Sequence, residues 1–437
     1  MTPTPTGRPT PQLRRAVLSS YLGSVIEYYD FLLYATASAL VFSRVFFSDL
    51  DPLVGTVASF GTLATGYLAR PLGGALFGHF GDRLGRKRML VLTMALMGVA
   101  SVLIGLLPTY AQVGALAPVL LVVLRIAQGI AVGGEWGGAV LMSAEHATSR
   151  RGLWASFTNA GAPSGMVLST LVLALASAAT GEEQFLVWGW RIPFLLSAVL
   201  LAVGLFVRAK VEETPVFTAA AKPAAPPLVE VFRRHRRNLA LSVGVGFGAF
   251  VAQGTLTTFV ISYAVQAGFP RQTVLNALTV SSAVAIAGII GFSALSDRLG
   301  RRPVVLAGAV AMAAWSFLFF PMIRSGSTLL LVLAVVLGQG VIHAAMYGPL
   351  AALYTELFST QARYTGASLG YQIAGTGAGL APVVFAAVLG GSGTLPVSVI
   401  IAACCLLTVA CVLALGETST NDLAAEPESH DREVPVT

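Results

Sequence analysis

Glu27 and Asp30 stand three residues apart in YLGSVIEYYDFLLYATASALVF (21–42), a stretch otherwise apolar enough to lie in lipid. A carboxylate at the centre of a membrane helix costs ~2.5–3.5 kcal/mol on insertion scales, so such residues mark proton paths, ion pairs or ligand contacts. Spacing of three puts both acids on one helix face, with Tyr34 a turn further along. Arg125 and Gln128 interrupt a second apolar run, APVLLVVLRIAQGIAVGGEWGGAVLM (117–142), which also carries Glu135. If the first helix starts near Arg15 and the fourth ends near Met142, helical rise puts Asp30 about 20 Å and Arg125 about 25 Å from one membrane edge. At that shared depth they are expected to pair. Burial and a neighbouring guanidinium act in opposite senses on a carboxyl proton, so a change of distance or hydration would move it. Arg125, once released, could take a substrate carboxylate in its planar fork. The alternative is a static ion pair that fixes helix packing. Glu27 is a further proton carrier or faces a hydrated vestibule. Glu135, about 10 Å from the same edge, is a second proton station or part of a gate.

The elements that must hold these groups are apolar runs recurring along nearly the whole chain. Of 437 residues, 55% are hydrophobic and 11% charged, with mean hydropathy +0.78; soluble domains carry about 25% charged residues. Runs of this length read as helices rather than alternating barrel strands. They fall near 16–46, 54–78, 89–107, 117–142, 153–178, 189–208, 239–266, 274–296, 304–323, 327–353, 365–390 and 395–416. The expected fold is an all-α membrane protein with twelve transmembrane helices in two pseudo-symmetric six-helix bundles. The expected segments are a cytoplasmic tail (1–15), an N-terminal bundle (16–208), a cytoplasmic linker (209–238), a C-terminal bundle (239–416) and an acidic cytoplasmic tail (417–437). The N-terminus lacks a cleavable signal pattern, and the first helix is expected to act as an uncleaved anchor.

The net charge of +7 does not call for nucleic acid. With both termini inside, 21 of the 27 Lys and Arg residues fall in cytoplasmic segments, and Arg44, Arg191, Arg271 and Arg324 lie in outer loops. That is the positive-inside bias of a multi-pass cell-membrane protein. The three cysteines lie in the last apolar run at no metal or disulfide spacing. GxxxxGK[ST] and HExxH are absent, which removes nucleotide-driven pumps and zinc proteases of those types. No cofactor is expected.

The halves repeat each other. GHFGDRLGRKRML (78–90) returns as SALSDRLGRRPVV (293–305), so Asp82, Arg83 and Arg86 have counterparts in Asp297, Arg298 and Arg301. Glu145 has one in Glu356. Such repeats point to alternating access around a site between the halves. Glu145 with Arg150 or Arg151, and Glu356 with Arg363, are the charge pairs the spacing suggests at the helix ends; the alternative is that these charges only fix topology. In the second half the polar residues inside helices are mostly neutral: Gln253 and Thr257, His343 and Tyr347, Tyr371 and Gln372. They suit a small hydroxylated or carboxylated ligand. His343 is either a proton relay or a side chain bonded to a carbonyl.

These motifs resemble the major facilitator superfamily, and within it the metabolite:proton symporter family. The resemblance rests on GHFGDRLGRK after the second helix, EYYDFLLY, LARPLGGALFGHFGDRLGRKRM, RIAQGIAVGGEWGGA and WGWRIPF. It implies that Asp82, Arg83, Arg86, Glu145, Asp297, Arg298, Arg301, Glu356 and Arg363 form an inner gate. It implies proton-coupled import of a small organic acid by a monomer in the bilayer. A shikimate-like hydroxylated carboxylate is the first candidate, through FGHFGDRLGRKRML and EQFLVWGWRIPF. Proton coupling would fall to Asp30, Arg125, Glu27, Glu135 and His343. Substrate contacts would fall to Arg125, Tyr34, Gln128, Gln253, Thr257, Tyr347, Tyr371 and Gln372. Dicarboxylates, aromatic acids, proline or betaine are the other family solutes; a drug/proton antiporter and a non-transporting sensor are the remaining readings.

Overall fold

The computed structural model describes residues 10–50, 52–147, 149–210 and 226–419. The tail to residue 9, the linker over 211–225 and the acidic tail from 420 lie outside them. Twelve long helices follow one another among the described residues. In the first half they are α1 (Pro11–Ala37), α2 (Pro52–Leu84), α3 (Arg86–Leu106), α4 (Leu116–His146), α5 (Arg151–Thr180) and α6 (Arg191–Ala209). In the second half they are α7 (Arg236–Gly254), α8 (Arg271–Leu299), α9 (Arg301–Arg324), α10 (Thr328–Val335), α11 (Arg363–Ser392) and α12 (Leu395–Ala414). α1 runs on through a π-helical turn, Ser38–Phe42, and α7 through another, Thr255–Phe259, so the two halves loosen at the same place. α10 continues through π-helical Val336–His343 and then Ala344–Tyr347 and Leu350–Glu356. Such widened turns recur at functional sites.

Local chemistry sets the ends. Thr10 accepts a hydrogen bond from the Leu13 amide and Pro11 opens α1, as N-caps do. The repeated loop turns at Gly85 (φ 104°) and Gly300 (φ 96°), a backbone region that L side chains rarely adopt. Among the described residues, ten helical spans are long and apolar enough to cross a membrane. α1, with Glu27 and Asp30, and the glycine-rich α2, with Arg70, are the two below that threshold: a functional helix is a poor hydropathy signal.

α2 packs against α4 within the first half, and the halves meet where α2 packs on α11 and α5 on α8. The α2–α4 contact needs glycine: a Cβ on Gly129 would lie 2.1 Å from the Gly66 carbonyl oxygen, and one on Gly133 2.0 Å from that of Arg70. α3, α6, α9 and α12 expose apolar side chains suited to lipid, among them Leu103, Phe206, Leu318 and Leu406.

Candidate functional site

Two layers of buried charge lie within the fold. The first closes one end of the molecule, the basic face carrying the repeated loops. Asp82, at the end of α2, accepts from the Tyr364 and Thr365 amides at 3.2 and 3.0 Å and from the Thr365 hydroxyl at 2.8 Å. It thereby caps α11 of the other half, where a carboxylate also meets the positive end of the helix dipole. Its counterpart Asp297 accepts from the Gly152 and Leu153 amides at 2.8 and 2.9 Å, capping α5. Each half thus caps a helix of the other. Glu145 pairs with Arg86 beside it and with Arg363 across the seam. Arg301 bridges Asp297 and Glu356.

This corrects two expected pairings. Glu145 takes Arg86 and Arg363 rather than Arg150 or Arg151, and Glu356 takes Arg301 rather than Arg363, because the helix packing brings distant segments closer than the adjoining loop. Arg83 and Arg298 are exposed, and neither belongs to these pairs.

The second layer is deeper. Glu27, Asp30, Glu135 and Thr93 line a cavity of about 10 Å³ inside the first half, room for about one water. Glu135 pairs with Arg208 of α6 and accepts from the Thr93 hydroxyl at 2.8 Å. Arg208 stands in the last turn of α6, at the helix end the sequence suggests, and its side chain turns inward to Glu135. The Ser197 hydroxyl donates to Asp30, and Ser101 lies beside the same carboxyl. Neither oxygen of Glu27 has a hydrogen-bond partner.

Asp30 and Arg125 do not pair directly. Arg125 donates to Gln128 at 3.1 Å, and Gln128 to Ser101 at 2.8 Å, so the acid and the base lie at opposite ends of a polar chain. The guanidinium lies over Phe31 and Tyr34, with ring centroids at 3.9 and 4.1 Å, worth about 2 kcal/mol when desolvated. Equal depth was readable from helical rise; the direction each side chain takes around its helix was not. The Tyr34 hydroxyl donates to Thr62 at 2.6 Å, which holds the ring beneath Arg125.

Between the halves, hydroxyls of Tyr28, Tyr347 and Tyr371 meet, Tyr28 to Tyr371 at 3.0 Å. Trp136 stacks on Tyr371 with centroids 3.5 Å apart, and Phe250 meets the same ring edge-on. Asn159 of α5 takes the Trp136 ring N–H and donates to the Tyr347 carbonyl, each at 2.8 Å. Gln253, Thr257, His343 and Tyr347 line a central cavity of about 20 Å³. That holds one or two waters, not an organic acid. The His343 Nε2 lies 3.1 Å from the Ala249 carbonyl oxygen, and its ring stacks on Tyr347. Gln372 receives Arg70 Nε at 2.8 Å and donates to the carbonyls of Val132 and Gly133.

Sequence reasoning passed over Tyr28, Arg70, Ser101, Asn159, Ser197 and Arg208. Arg70 carried the clearest signal, since an ionisable residue inside an apolar run is a site candidate by default.

The Major Facilitator Superfamily model matches residues 20–368. The chain belongs to the major facilitator superfamily. It is 41% identical to the shikimate transporter of Escherichia coli (strain K12) over 86% of this chain and 88% of that protein. It is 34% identical to the proline/betaine transporter of Salmonella typhimurium (strain LT2) over 86% and 77%. A structure of the proton:xylose symporter XylE bound to 6-bromo-6-deoxy-D-glucose has a TM-score of 0.76 at 17% identity, over 95% of this chain and 98% of that one. The family resemblance drawn from the motifs is borne out, and with it the all-α transporter fold. The protein is a multi-pass membrane transporter, not an enzyme.

Proposed function

We propose that the protein is a proton-coupled symporter that imports a small organic acid. The observation that carries this is a charge count. The deeper layer holds Arg70, Arg125 and Arg208 against Glu27, Asp30 and Glu135, all buried. It is neutral when the three acids are ionised, since arginine stays charged. A substrate carboxylate adds one negative charge to a low-dielectric interior, and one proton on Glu27 or Asp30 cancels it. Taking the anion without the proton, or the proton without the anion, leaves a buried net charge at a cost of several kcal/mol. Coupling follows from that cost.

In this reading Asp30 and Glu27 carry the proton and Glu135 is held by Arg208. His343 is a packing residue bonded to a carbonyl. The basic face is cytoplasmic by the positive-inside rule. The carboxylate caps and the ion pairs of Glu145 are the inner gate, shut in this state. The substrate occupies the seam between halves when Gln253, Thr257 and the tyrosine cluster part. Shikimate-like acids come first because the relative at 41% identity is named for shikimate.

A second reading is import of a betaine-like zwitterion, favoured by the aromatic group of Trp136, Phe250, Tyr347 and Tyr371 at the seam, which suits a quaternary ammonium. Uptake of labelled shikimate and betaine into proteoliposomes, with and without an imposed inward proton gradient, tests both. Accumulation driven by the gradient, lost in Asp30→Asn while counterflow persists, is the expected result. Transport indifferent to the gradient in wild-type protein contradicts it.

A further inference from the structure

We propose that Arg70 anchors the substrate carboxylate; this rests on the symporter reading above and names the group that receives the anion. Arg70 lies on α2 at the seam between the halves, and its Nε donates to Gln372 on α11. Gly375, one helical turn further along α11, leaves room beside the guanidinium: a Cβ there would lie 3.9 Å from Arg70 Cζ. The side chain is 1% exposed, yet its Nη2 has no hydrogen-bond partner. Among the described residues no carboxylate lies within salt-bridge distance of it, whereas Arg86, Arg208, Arg301 and Arg363 each have one. A buried guanidinium with part of its fork unused is built for a carboxylate that arrives from elsewhere.

Arg125 also lacks a carboxylate, but the ligand cannot reach it by the same route. It sits inside the first half, covered by Phe31 and Tyr34 and bordered by the close α2–α4 contact at Gly66 and Gly129. Arg70 faces the other half, where the seam must open. Phe31 links the two arginines, with the Arg70 and Arg125 Cζ atoms 5.3 and 3.9 Å from its ring centroid, and it adjoins Asp30 in the chain. The carboxylate is common to shikimate, proline and betaine, so Arg70 sets the class of substrate and the neutral groups around the seam choose within it.

The test is competition by shikimate and by its neutral methyl ester against labelled substrate in proteoliposomes, with betaine and its ester where wild-type protein prefers betaine. Loss of a buried charge partner corresponds to about 30-fold or more, so wild-type protein should prefer acid to ester by that factor. Arg70→Gln should lower the preference to about threefold or less, while the ester competes as before, which also reports a folded site. Arg70→Lys, which keeps the charge without the planar fork, should fall between. Wild-type discrimination retained in Arg70→Gln or Arg70→Lys, or abolished instead by Arg125→Gln, overturns the assignment and leaves the symporter reading standing. A wild-type protein that handles no carboxylate at all overturns both.

Discussion

Asp82→Asn should open the basic face. The carboxylate accepts two backbone amides and a hydroxyl at the start of α11, all within 3.2 Å and all from the opposite half. A hydrogen bond to a charged group is worth about 1.5–3 kcal/mol. The carboxamide keeps one acceptor oxygen but turns an N–H donor toward backbone N–H groups and loses the charge facing the helix dipole. A net loss of about 1.5–2 kcal/mol shifts the closed-to-open ratio roughly 10–30-fold. A protein resting about nine-tenths closed would fall to about half or less.

Arg83 and Arg298 are exposed at the basic ends of α2 and α8, one in each half. Spin labels on cysteines at these two positions would report the separation by pulsed electron paramagnetic resonance, with Cys404, Cys405 and Cys411 replaced by alanine. Asp82→Asn should raise the long-distance population, and Asp297→Asn should act in the same sense. Arg88→Gln, at an exposed position of the same loop, should leave it unchanged. An Asp82→Asn distribution identical to that of the wild type would refute the capping argument.

Three further outcomes follow. Glu135→Gln should lower thermal stability by about 3–5 kcal/mol by stranding Arg208, and the double change Glu135→Gln with Arg208→Gln should recover part of it; a thermal-shift double-mutant cycle measures the difference. Gly73→Ala should abolish folded protein on size-exclusion chromatography, because its Cβ would lie 1.9 Å from the Ile130 carbonyl oxygen and the contact is backbone on both sides. His343→Gln should keep gradient-driven uptake within about threefold of wild type, since an amide N–H can replace the bond to Ala249; loss of the gradient response would make His343 a proton carrier.

The fold was legible because the bilayer enforces it: long apolar runs, charge asymmetry and a repeated DRLGR loop carry information at the scale of whole helices. The site was legible in depth only. Helical rise put Asp30 and Arg125 at one level, but not the Gln128 and Ser101 side chains that separate them. The gate acids were visible as a repeat, and their partners were not, since Arg363 reaches Glu145 from 218 positions away. Arg208 stood at the expected end of α6, and nothing in the sequence says whether a side chain there turns to water or inward to Glu135. Arg70 was visible inside an apolar run, but the sequence does not say which groups surround it. That no carboxylate among the described residues comes within salt-bridge distance is what the packed structure makes informative.

The central claim is that one anion and one proton together keep a neutral interior neutral. Charge movement recorded on a solid-supported membrane during shikimate uptake by wild-type protein tests this directly. The account predicts uptake in step with one proton per monoanion and no net current, with a rate indifferent to membrane voltage. A sustained current that scales with shikimate uptake would contradict it.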